Sequence, residues 1–302
     1  MNTPENLKSG DEIAIVAIGK KISFPEIEKS IKFYESWGLK VNVSKTIGVG
    51  DSYLAGSDEL KISELQSYIN NPKIKAIMFA RGGYGAVRII DSIDFSPLIE
   101  NNKWMVGFSD VTVIHNHLNS QLNLASVHGI MPVFFEDASD GSIDSCKKAL
   151  FNGVMNYEFT LENSALTTDG EGEGEIVGGN LSIIYSLCGS ASSLNTKEKI
   201  LFIEDLHEPL YHIDRMLQNL KRNGMFEGLA GIIIGRFTHI DLGTPSFSDA
   251  IETVFKAYFK NLNIPICFGF PSGHIDNNHA LIFGQKVKMQ VSNNNISIKT
   301  LN

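Results

Sequence analysis

Short β-branched apolar runs alternate with amphipathic segments through the first 130 or so residues, and this alternation constrains the fold more than any other feature. EIAIVAI at 12–18, LKVNVS at 39–44 and KAIMFA at 75–80 each have the composition of a buried strand. Segments with helical spacing of apolar residues separate them. PEIEKSIKFYESW at 25–37, for example, begins with proline and is followed by Gly38. The pattern predicts a doubly wound α/β domain built on a parallel sheet.

The composition and pattern of the sequence change in the second half of the chain, and we expect a second domain there. The two predicted domains span residues 1–160 and 161–302. TTDGEGEGE at 167–175 has the composition of a solvated linker or turn. Beyond it, KILFIED at 199–205 predicts a strand and YHIDRMLQNLKRNG at 211–224 a helix. The alternating residues of 279–300 are typical of a terminal hairpin.

Composition and motifs exclude several classes of function. The net charge of −8 argues against nucleic acid or an anionic membrane as a partner. The cysteines Cys146, Cys188 and Cys267 form no CxxC pair, and no signal peptide or membrane-spanning run is found, so we expect a cytoplasmic protein. HExxH motifs and Cys/His clusters are also absent from the sequence, so we expect neither a metal nor another cofactor.

The stretch WMVGFSDVT at 104–112 places Ser109 where a predicted strand passes into a helix. On a sharp turn there, the hydroxyl would be exposed as a nucleophile, and the amide of Asp110 near the helix N-terminus would stabilise an oxyanion. The spacing departs from G-x-S-x-G, because Val111 stands where that motif has its second glycine. Serine is also a common helix cap, so these residues alone leave both interpretations open.

Two adjacent glycines, Gly82 and Gly83, follow a predicted strand in RGGYG at 81–85. Glycines permit close backbone approaches that side chains would block. An amide here is a candidate for the second oxyanion donor or for binding a substrate anion, and we take Gly82 as a candidate substrate-binding residue; a plain strand–helix turn is the alternative. The spacing fits neither G-x-G-x-x-G nor the P-loop, which argues against a nucleotide-binding fold.

Carboxylates close to a predicted strand end supply the acid of a possible triad. FIEDLHEP at 202–209 contains Glu204 and Asp205, which point to opposite faces of a strand, so at most one of them faces the site. Either carboxylate could orient a histidine or cap the turn that follows.

Histidines in loops supply the candidate base. PSGHIDNNHA at 271–280 contains His274, with His279 as the alternative in the same loop. His128, after a short predicted strand, is a candidate to line the substrate site. The remaining histidines have no clear context (His207, His212, His239), or face different sides of one helix (His115, His117). Ser109, Glu204 and His274, in that order, would form a chemically complete triad.

In this order the motifs resemble the LD-carboxypeptidase family of serine peptidases, which also includes the microcin C self-immunity proteins. The resemblance covers nearly the whole chain. The blocks that carry it are YLAGSDE (53–59), NPKIKAIMFARGGYG (71–85), GFSD (107–110), VHG (127–129), GGNLS (178–182), LFIED (201–205), IDRML (213–217) and PSGH (271–274).

The resemblance implies a flavodoxin-like N-terminal domain, a smaller C-terminal β/α domain of swivelling type, and a homodimer. It assigns the serine of GFSD, the glutamate of LFIED and the histidine of PSGH as the triad, that is Ser109, Glu204 and His274. It assigns the amides of Asp110 and Gly83 as the oxyanion hole.

Two substrate classes follow from the resemblance. The peptidases release the terminal D-alanine of murein tetrapeptides during peptidoglycan recycling, whereas the immunity branch hydrolyses an amide in a peptidyl- or aminoacyl-nucleotide. The segment 182–199 contains no tryptophan that could stack on a nucleobase, which favours the peptide. AIGKKISF after the first strand and HGIMP at 128–132 also depart from the family pattern. A catalytically inactive two-domain binding protein is the alternative from a different class.

Overall fold

The computed structural model describes residues 1–50, 53–162, 164–241 and 250–301. Its described strands form two sheets. Their bounds are β1 Glu12–Val16, β2 Lys40–Val43, β3 Ile74–Phe79, β4 Trp104–Gly107, β5 Ser126–His128, β6 Asn156–Thr160, β7 Gly170–Asn180, β8 Ile200–Leu206, β9 Gly231–Thr238, β10 Ile266–Phe268, β11 Leu281–Phe283, β12 Lys286–Ser292 and β13 Asn295–Thr300.

The α-helices of the described residues connect these strands. Their bounds are α1 Glu28–Ser36, α2 Asp58–Asn70, α3 Ala86–Ile89, α4 Pro97–Glu100, α5 Thr112–His117, α6 Asp140–Asn152, α7 Leu181–Leu187, α8 Leu210–Arg222 and α9 Ala250–Phe259. The predicted helix at 25–37 is a 3₁₀ turn over Pro25–Ile27 that continues into α1.

The first sheet has the strand order β2-β1-β3-β4-β5, all parallel, with β11 antiparallel at the β5 edge. The order 2-1-3-4-5 is that of the flavodoxin-like fold, so the predicted α/β class and doubly wound parallel domain are confirmed. The strands carry buried apolar side chains on both faces because helices cover both sides. The carboxyl ends of β3 and β4 meet at one edge, where ligands of such sheets bind.

The second sheet has the order β10-β9-β8-β7-β12-β13-β6 and combines parallel and antiparallel pairs. β12 and β13 form the predicted terminal hairpin. Strand pairing crosses residue 160 in two places, since β6 joins this sheet and β11 joins the first. The division into 1–160 and 161–302 stays a prediction.

The acidic glycine-rich run is not the linker or turn that its composition suggested. Most of it is the start of β7, which pairs with β12 from Glu175 to Gly170. Its glycines are needed because another layer of chain passes directly over them: a β-carbon on Gly172 would lie 2.1 Å from the Ala230 carbonyl oxygen, and one on Gly174 would lie 2.7 Å from that of Glu198. Tertiary contact, invisible in the composition, decides this segment.

No helix in the described ranges combines the length and the apolar character that crossing a bilayer requires.

Candidate active site

Ser109 lies at the turn between the first sheet and α5. β4 ends at Gly107, Phe108 is extended, and Ser109 adopts a φ of 63° before a 3₁₀ turn leads into α5. Positive φ is uncommon for a residue with a β-carbon and persists where the surroundings enforce it. In the described structure no side-chain cap bond is made at the start of the 3₁₀ turn or of α5. The geometry is therefore that of a strained elbow and not of a serine cap.

His115 fixes the strand end beneath this turn. It is fully buried, and its Nε2 lies 2.9 Å from the Gly107 carbonyl oxygen and its Nδ1 2.9 Å from the Ser126 hydroxyl. Burial lowers the pKa of this histidine to about 4, against a smaller raising effect of the Gly107 carbonyl. The ring is neutral at physiological pH, so Nε2–H donates to Gly107 while Nδ1 accepts from Ser126. No local sequence pattern indicates this support.

Glu204 and His274 form a close acid–histidine pair. Glu204 is fully buried near the end of β8, and His274 lies in the loop between β10 and β11 with its Nδ1 2.7 Å from Glu204 Oε2. Gly273 makes room for the contact: it has a φ of +123°, and a β-carbon there would lie 2.9 Å from the same carboxylate oxygen. Nδ1 is thereby occupied, which leaves Nε2 for another partner.

Asn278 holds the histidine loop in this conformation. Its Oδ1 accepts from the Gly273 amide at 2.9 Å and from the Ser272 hydroxyl at 3.1 Å, and the side chain is almost fully buried. The residue is inside the predicted motif PSGHIDNNHA, but only the folded loop identifies its role.

The Glu204 carboxylate governs the charge of His274. Burial lowers the pKa of the imidazole, but the charge of Glu204, its hydrogen bond and the weaker field of Asp205 outweigh this effect, so the pKa is raised. The imidazolium that forms when a base accepts a proton is stabilised in the same way.

Asp205 faces away from His274, as the opposite-face argument predicted. It accepts from the Asn180 side chain and the Ser182 amide, both at 2.9 Å, and from the Leu206 amide at 2.8 Å. Burial and the neighbouring Glu204 raise its pKa to about 7. Its contacts hold the start of α7 against the end of β8, so Asp205 has a structural role there and does not belong to the acid–histidine pair.

The fold brings the serine turn and the histidine loop together. The ring of Phe108, the residue before Ser109, lies 4.8 Å from the ring of His274 between centroids, nearly edge to face. His279, the alternative base, packs instead against Phe159 at 4.8 Å and Tyr157 at 5.6 Å.

RGGYG packs directly on Ser109. A β-carbon on Gly82 would lie 2.8 Å from Ser109 Cβ, 2.9 Å from Ser109 Oγ and 3.5 Å from the Asp110 nitrogen. Only glycine permits this approach, so the plain-turn interpretation of RGGYG does not account for its contacts.

The amides of Gly83 and Asp110 are available at this corner. The Gly82 carbonyl accepts from the Lys20 amide at 3.1 Å, so the planar trans peptide directs the Gly83 N–H away from Lys20. Within the described part of the chain, no protein acceptor receives a hydrogen bond from the Gly83 or the Asp110 amide. Asp110 also ties the two turns together, because its Oδ2 accepts from the Ala86 amide at 2.9 Å at the start of α3. Burial raises the pKa of this carboxyl to about 6, while the Ala86 hydrogen bond and Lys61 act in the opposite direction.

His128 does not lie in the open part of the site. Its ring is fully buried beneath Phe108, 5.7 Å away, and packs against Phe202 at 4.9 Å and Phe283 at 5.3 Å. Burial, with lesser contributions from His115 and His274, holds its pKa well below the ordinary value. A direct contact with substrate stays a prediction, whereas the packing role is evident.

A pocket of about 330 Å³ opens beside His274. Its apolar wall includes Phe108, Ile130, Phe134 and Leu206. Polar lining comes from His207 and His239, for which no sequence motif indicates a role, and from Asp137 and Asp276. The described residues contain no group of three or more Cys, His, Asp or Glu side chains arranged to hold a metal ion.

Family models match both halves of the chain. The LD-carboxypeptidase N-terminal domain matches residues 13–129, and the LD-carboxypeptidase C-terminal domain matches residues 173–289. The chain belongs to the LD-carboxypeptidase family. It is an enzyme of the peptidase class, which confirms the resemblance seen in the sequence.

Curated relatives include both branches of this LD-carboxypeptidase family. The chain is 32% identical to the Bacillus subtilis protein named "Probable murein peptide carboxypeptidase", over 96% of this chain and 92% of that protein. It is 25% identical to the murein tetrapeptide carboxypeptidase of Pseudomonas aeruginosa, over 92% of each. It is 26% identical to the microcin C7 self-immunity protein MccF of Escherichia coli, over 89% of this chain and 87% of that protein.

Solved structures share the fold of this LD-carboxypeptidase over nearly its whole length. The muramoyltetrapeptide carboxypeptidase of Oxalobacter formigenes superposes with a TM-score of 0.87 at 24% identity, covering 96% of this chain and 99% of that one. MccF in complex with glutamyl sulfamoyl guanosine gives 0.87 at 23% identity, covering 98% of each. The fold is common to both branches and does not separate them.

Proposed function

We propose that this chain is a serine LD-carboxypeptidase that hydrolyses the amide bond before the C-terminal D-alanine of murein-derived peptides. The observation that carries the proposal is the buried Glu204–His274 pair, with His274 packed against the residue that precedes the strained Ser109. An acid-oriented histidine next to a serine hydroxyl is the arrangement that activates a nucleophile.

In the acylation step, Ser109 Oγ forms a bond to the carbonyl carbon of the penultimate residue while His274 Nε2 takes the hydroxyl proton. The Glu204 carboxylate stabilises the resulting imidazolium. The oxyanion is bound by the Gly83 and Asp110 amides, which donate to no protein acceptor in the described chain and carry partial positive charge. Collapse of the intermediate breaks the C–N bond, and the proton on His274 passes to the nitrogen of D-alanine.

In the deacylation step, water replaces the departed D-alanine. His274 takes a proton from the water, the hydroxide adds to the acyl carbon, and the ester bond to Ser109 breaks with return of the proton to Oγ. The shortened peptide leaves. Every proton moves between His274 and the reacting atoms, so the proposed cycle uses no metal or other cofactor.

The test is Ser109→Ala with release of D-alanine followed by mass spectrometry, on L-Ala-γ-D-Glu-L-Lys-D-Ala and its diaminopimelate counterpart. We expect the wild type to release D-alanine and the variant to lose nearly all turnover, leaving at most the ~10³- to 10⁴-fold residual acceleration over water that a bare oxyanion hole supplies. Far-ultraviolet circular dichroism checks that the variant is folded. Undiminished turnover by the variant would contradict the serine mechanism.

The immunity-type amidase is the second candidate, because the chain is 26% identical to MccF. Aspartyl sulfamoyl adenosine, assayed beside the tetrapeptides, separates the two: preferential hydrolysis of the nucleoside compound would replace the peptide assignment. We further propose a cytoplasmic homodimer, which fractionation and light scattering coupled to gel filtration would test.

A further inference from the structure

Two histidines outside the triad lie face to face in the pocket beside His274. The ring centroids of His207 and His239 are 4.8 Å apart and the rings are inclined by only 12°. Both residues line the same pocket as His274. Neither has a role in the mechanism derived above.

Strand register brings the two histidines together. Leu206 of β8 and Thr238 of β9 are partners in the parallel ladder, and the His207 amide donates to the Thr238 carbonyl at 3.0 Å. Each histidine is the next residue along its strand. Each has a left-handed backbone, with φ of 55° at His207 and 53° at His239. Such a conformation carries a conformational cost that tends to persist at binding and catalytic sites.

The chemistry of the proposed reaction places the leaving group on this side of the serine. His274 must deliver its proton to the nitrogen of the departing D-residue, so that nitrogen lies against His274. In an α-amino acid the carboxylate carbon is about 2.5 Å from the nitrogen, given standard bond lengths and angles. The C-terminal carboxylate of the substrate therefore enters the pocket that His274 lines.

This pocket has few sources of positive charge for a carboxylate. Among its described lining residues none is lysine or arginine, and Asp137 and Asp276 are acidic. Apart from His274, the side chains there that can donate a ring N–H to a carboxylate are His207 and His239. Two stacked imidazoles repel each other when both are protonated, and an anion bound at their edges offsets that repulsion.

We propose that His207 and His239 bind the C-terminal carboxylate of the leaving D-amino acid and thereby select for a free carboxyl terminus. The inference rests on the proposed function, because it takes the leaving-group side from the triad mechanism. The two residues are specificity determinants and not members of the triad.

The test compares His207→Asn and His239→Asn on two substrates, the tetrapeptide with a free C-terminus and the same peptide ending in D-alaninamide. Asparagine tolerates the left-handed backbone, so each variant removes the imidazole without new strain. His212→Gln is the matched control, because His212 pairs with Glu208 and is not among the described residues lining the pocket.

We expect each asparagine variant to lower kcat/KM for the free acid by about 10- to 100-fold, the range of a charge-assisted hydrogen bond. The loss should appear in KM, and the amide should be affected much less. The control should behave as the wild type on both substrates. An equal loss on acid and amide, or no loss on the acid, would overturn the proposal.

If the wild type hydrolyses neither peptide, the proposed function fails and the carboxylate site is judged by binding. The imidazole C2–H proton resonances of His207 and His239, assigned from the two variants, are then followed by NMR during titration with D-alanine and with D-alaninamide. Shifts with D-alanine alone would support the carboxylate site. Absence of a shift, or equal shifts with the amide, would overturn it.

Discussion

Two glycines and a strained serine set the geometry of the candidate triad. Ser109 holds a positive φ, Gly82 packs against its hydroxyl, and Gly273 packs against the carboxylate that orients His274. At each position a single β-carbon or a change of backbone conformation would displace a reacting group. The glycine motifs of the sequence are thus explained by contact, one residue at a time.

Gly273→Ala tests this contact. The added β-carbon would lie 2.9 Å from Glu204 Oε2 at a φ of +123°, so we expect the Glu204–His274 hydrogen bond to break and kcat to fall by ~10²-fold or more. Gly269→Ala is the control: it also has a positive φ (+82°), but its nearest contact would be 3.5 Å, at the end of Arg236. Both changes cost ~1–2 kcal/mol of backbone strain. Equal activity of the two variants in a D-alanine release assay would count against the role of Gly273.

Glu204→Gln tests the electrostatic role of the acid. The neutral amide should lower kcat/KM by about 10²- to 10⁴-fold, because the imidazolium of His274 loses its counter-ion. The ring also loses the carboxylate that holds it in the reactive tautomer. The base must be neutral, and Glu204 raises its pKa, so activity rises with pH through the pKa of His274. Removing the charge lowers that pKa. The acidic limb of the pH–rate profile should therefore move to lower pH, and an unmoved limb would exclude His274 as the titrating base.

At the scale of elements, the site is formed by the carboxyl ends of parallel strands from two sheets. β3 and β4 deliver RGGYG and GFSD, while β8 and β9 deliver Glu204 and the His207–His239 pair. The alternation of strands and helices predicted the placement of β3 and β4. It did not predict the path of β7, because the glycines of β7 resemble a linker until the chain segment that crosses them is known.

Gly172→Ala tests the interpretation of β7 as a tightly crossed strand. The β-carbon would lie 2.1 Å from the Ala230 carbonyl, so we expect the free energy of unfolding to fall by ~1–3 kcal/mol, as overpacking does. Glu173→Ala, exposed on the same strand, should stay within about 0.5 kcal/mol of the wild type. Urea denaturation followed by fluorescence measures both. An unchanged free energy of unfolding in Gly172→Ala would favour the interpretation of this segment as a linker.

At the scale of the whole molecule, the two sheets share one aromatic cluster beneath the site. His128 of the first sheet packs on Phe202 of the second and on Phe283 of β11, which pairs with β5. No hydrogen-bond partner for either His128 nitrogen lies within the described chain. A neutral buried imidazole therefore joins the two units at their contact.

We expect His128→Phe to remove one cause of the fall in the free energy of unfolding at acidic pH. The folded pKa is far below the ordinary 6.5, so as pH falls below about 6.5 the unfolded chain binds a proton that the folded chain does not. The wild type loses up to about 1.4 kcal/mol per pH unit from this residue, and the variant does not. The difference between their unfolding free energies should be small at pH 8 and should grow towards pH 5.

Urea titrations at several pH values measure that difference, and a pH-independent difference would contradict the buried neutral state. Activity of the same variant at pH 8 also tests the predicted contact of His128 with substrate. A large rise in KM in a stable variant would support it, and an unchanged KM would remove His128 from the substrate site.

The sequence by itself determined the doubly wound first domain and the order of the motifs, and the resemblance that those motifs carry proposed the candidate triad. These follow from local periodicity, from strand-end residues and from motifs whose order along the chain is itself informative. Only the tertiary structure decided that Ser109 is a strained elbow, that His274 and not His279 meets Glu204, and that His207 and His239 stack. Those outcomes depend on strand register and on contacts between residues well separated along the chain, such as Glu204 and His274, which are 70 positions apart, and no local pattern specifies them.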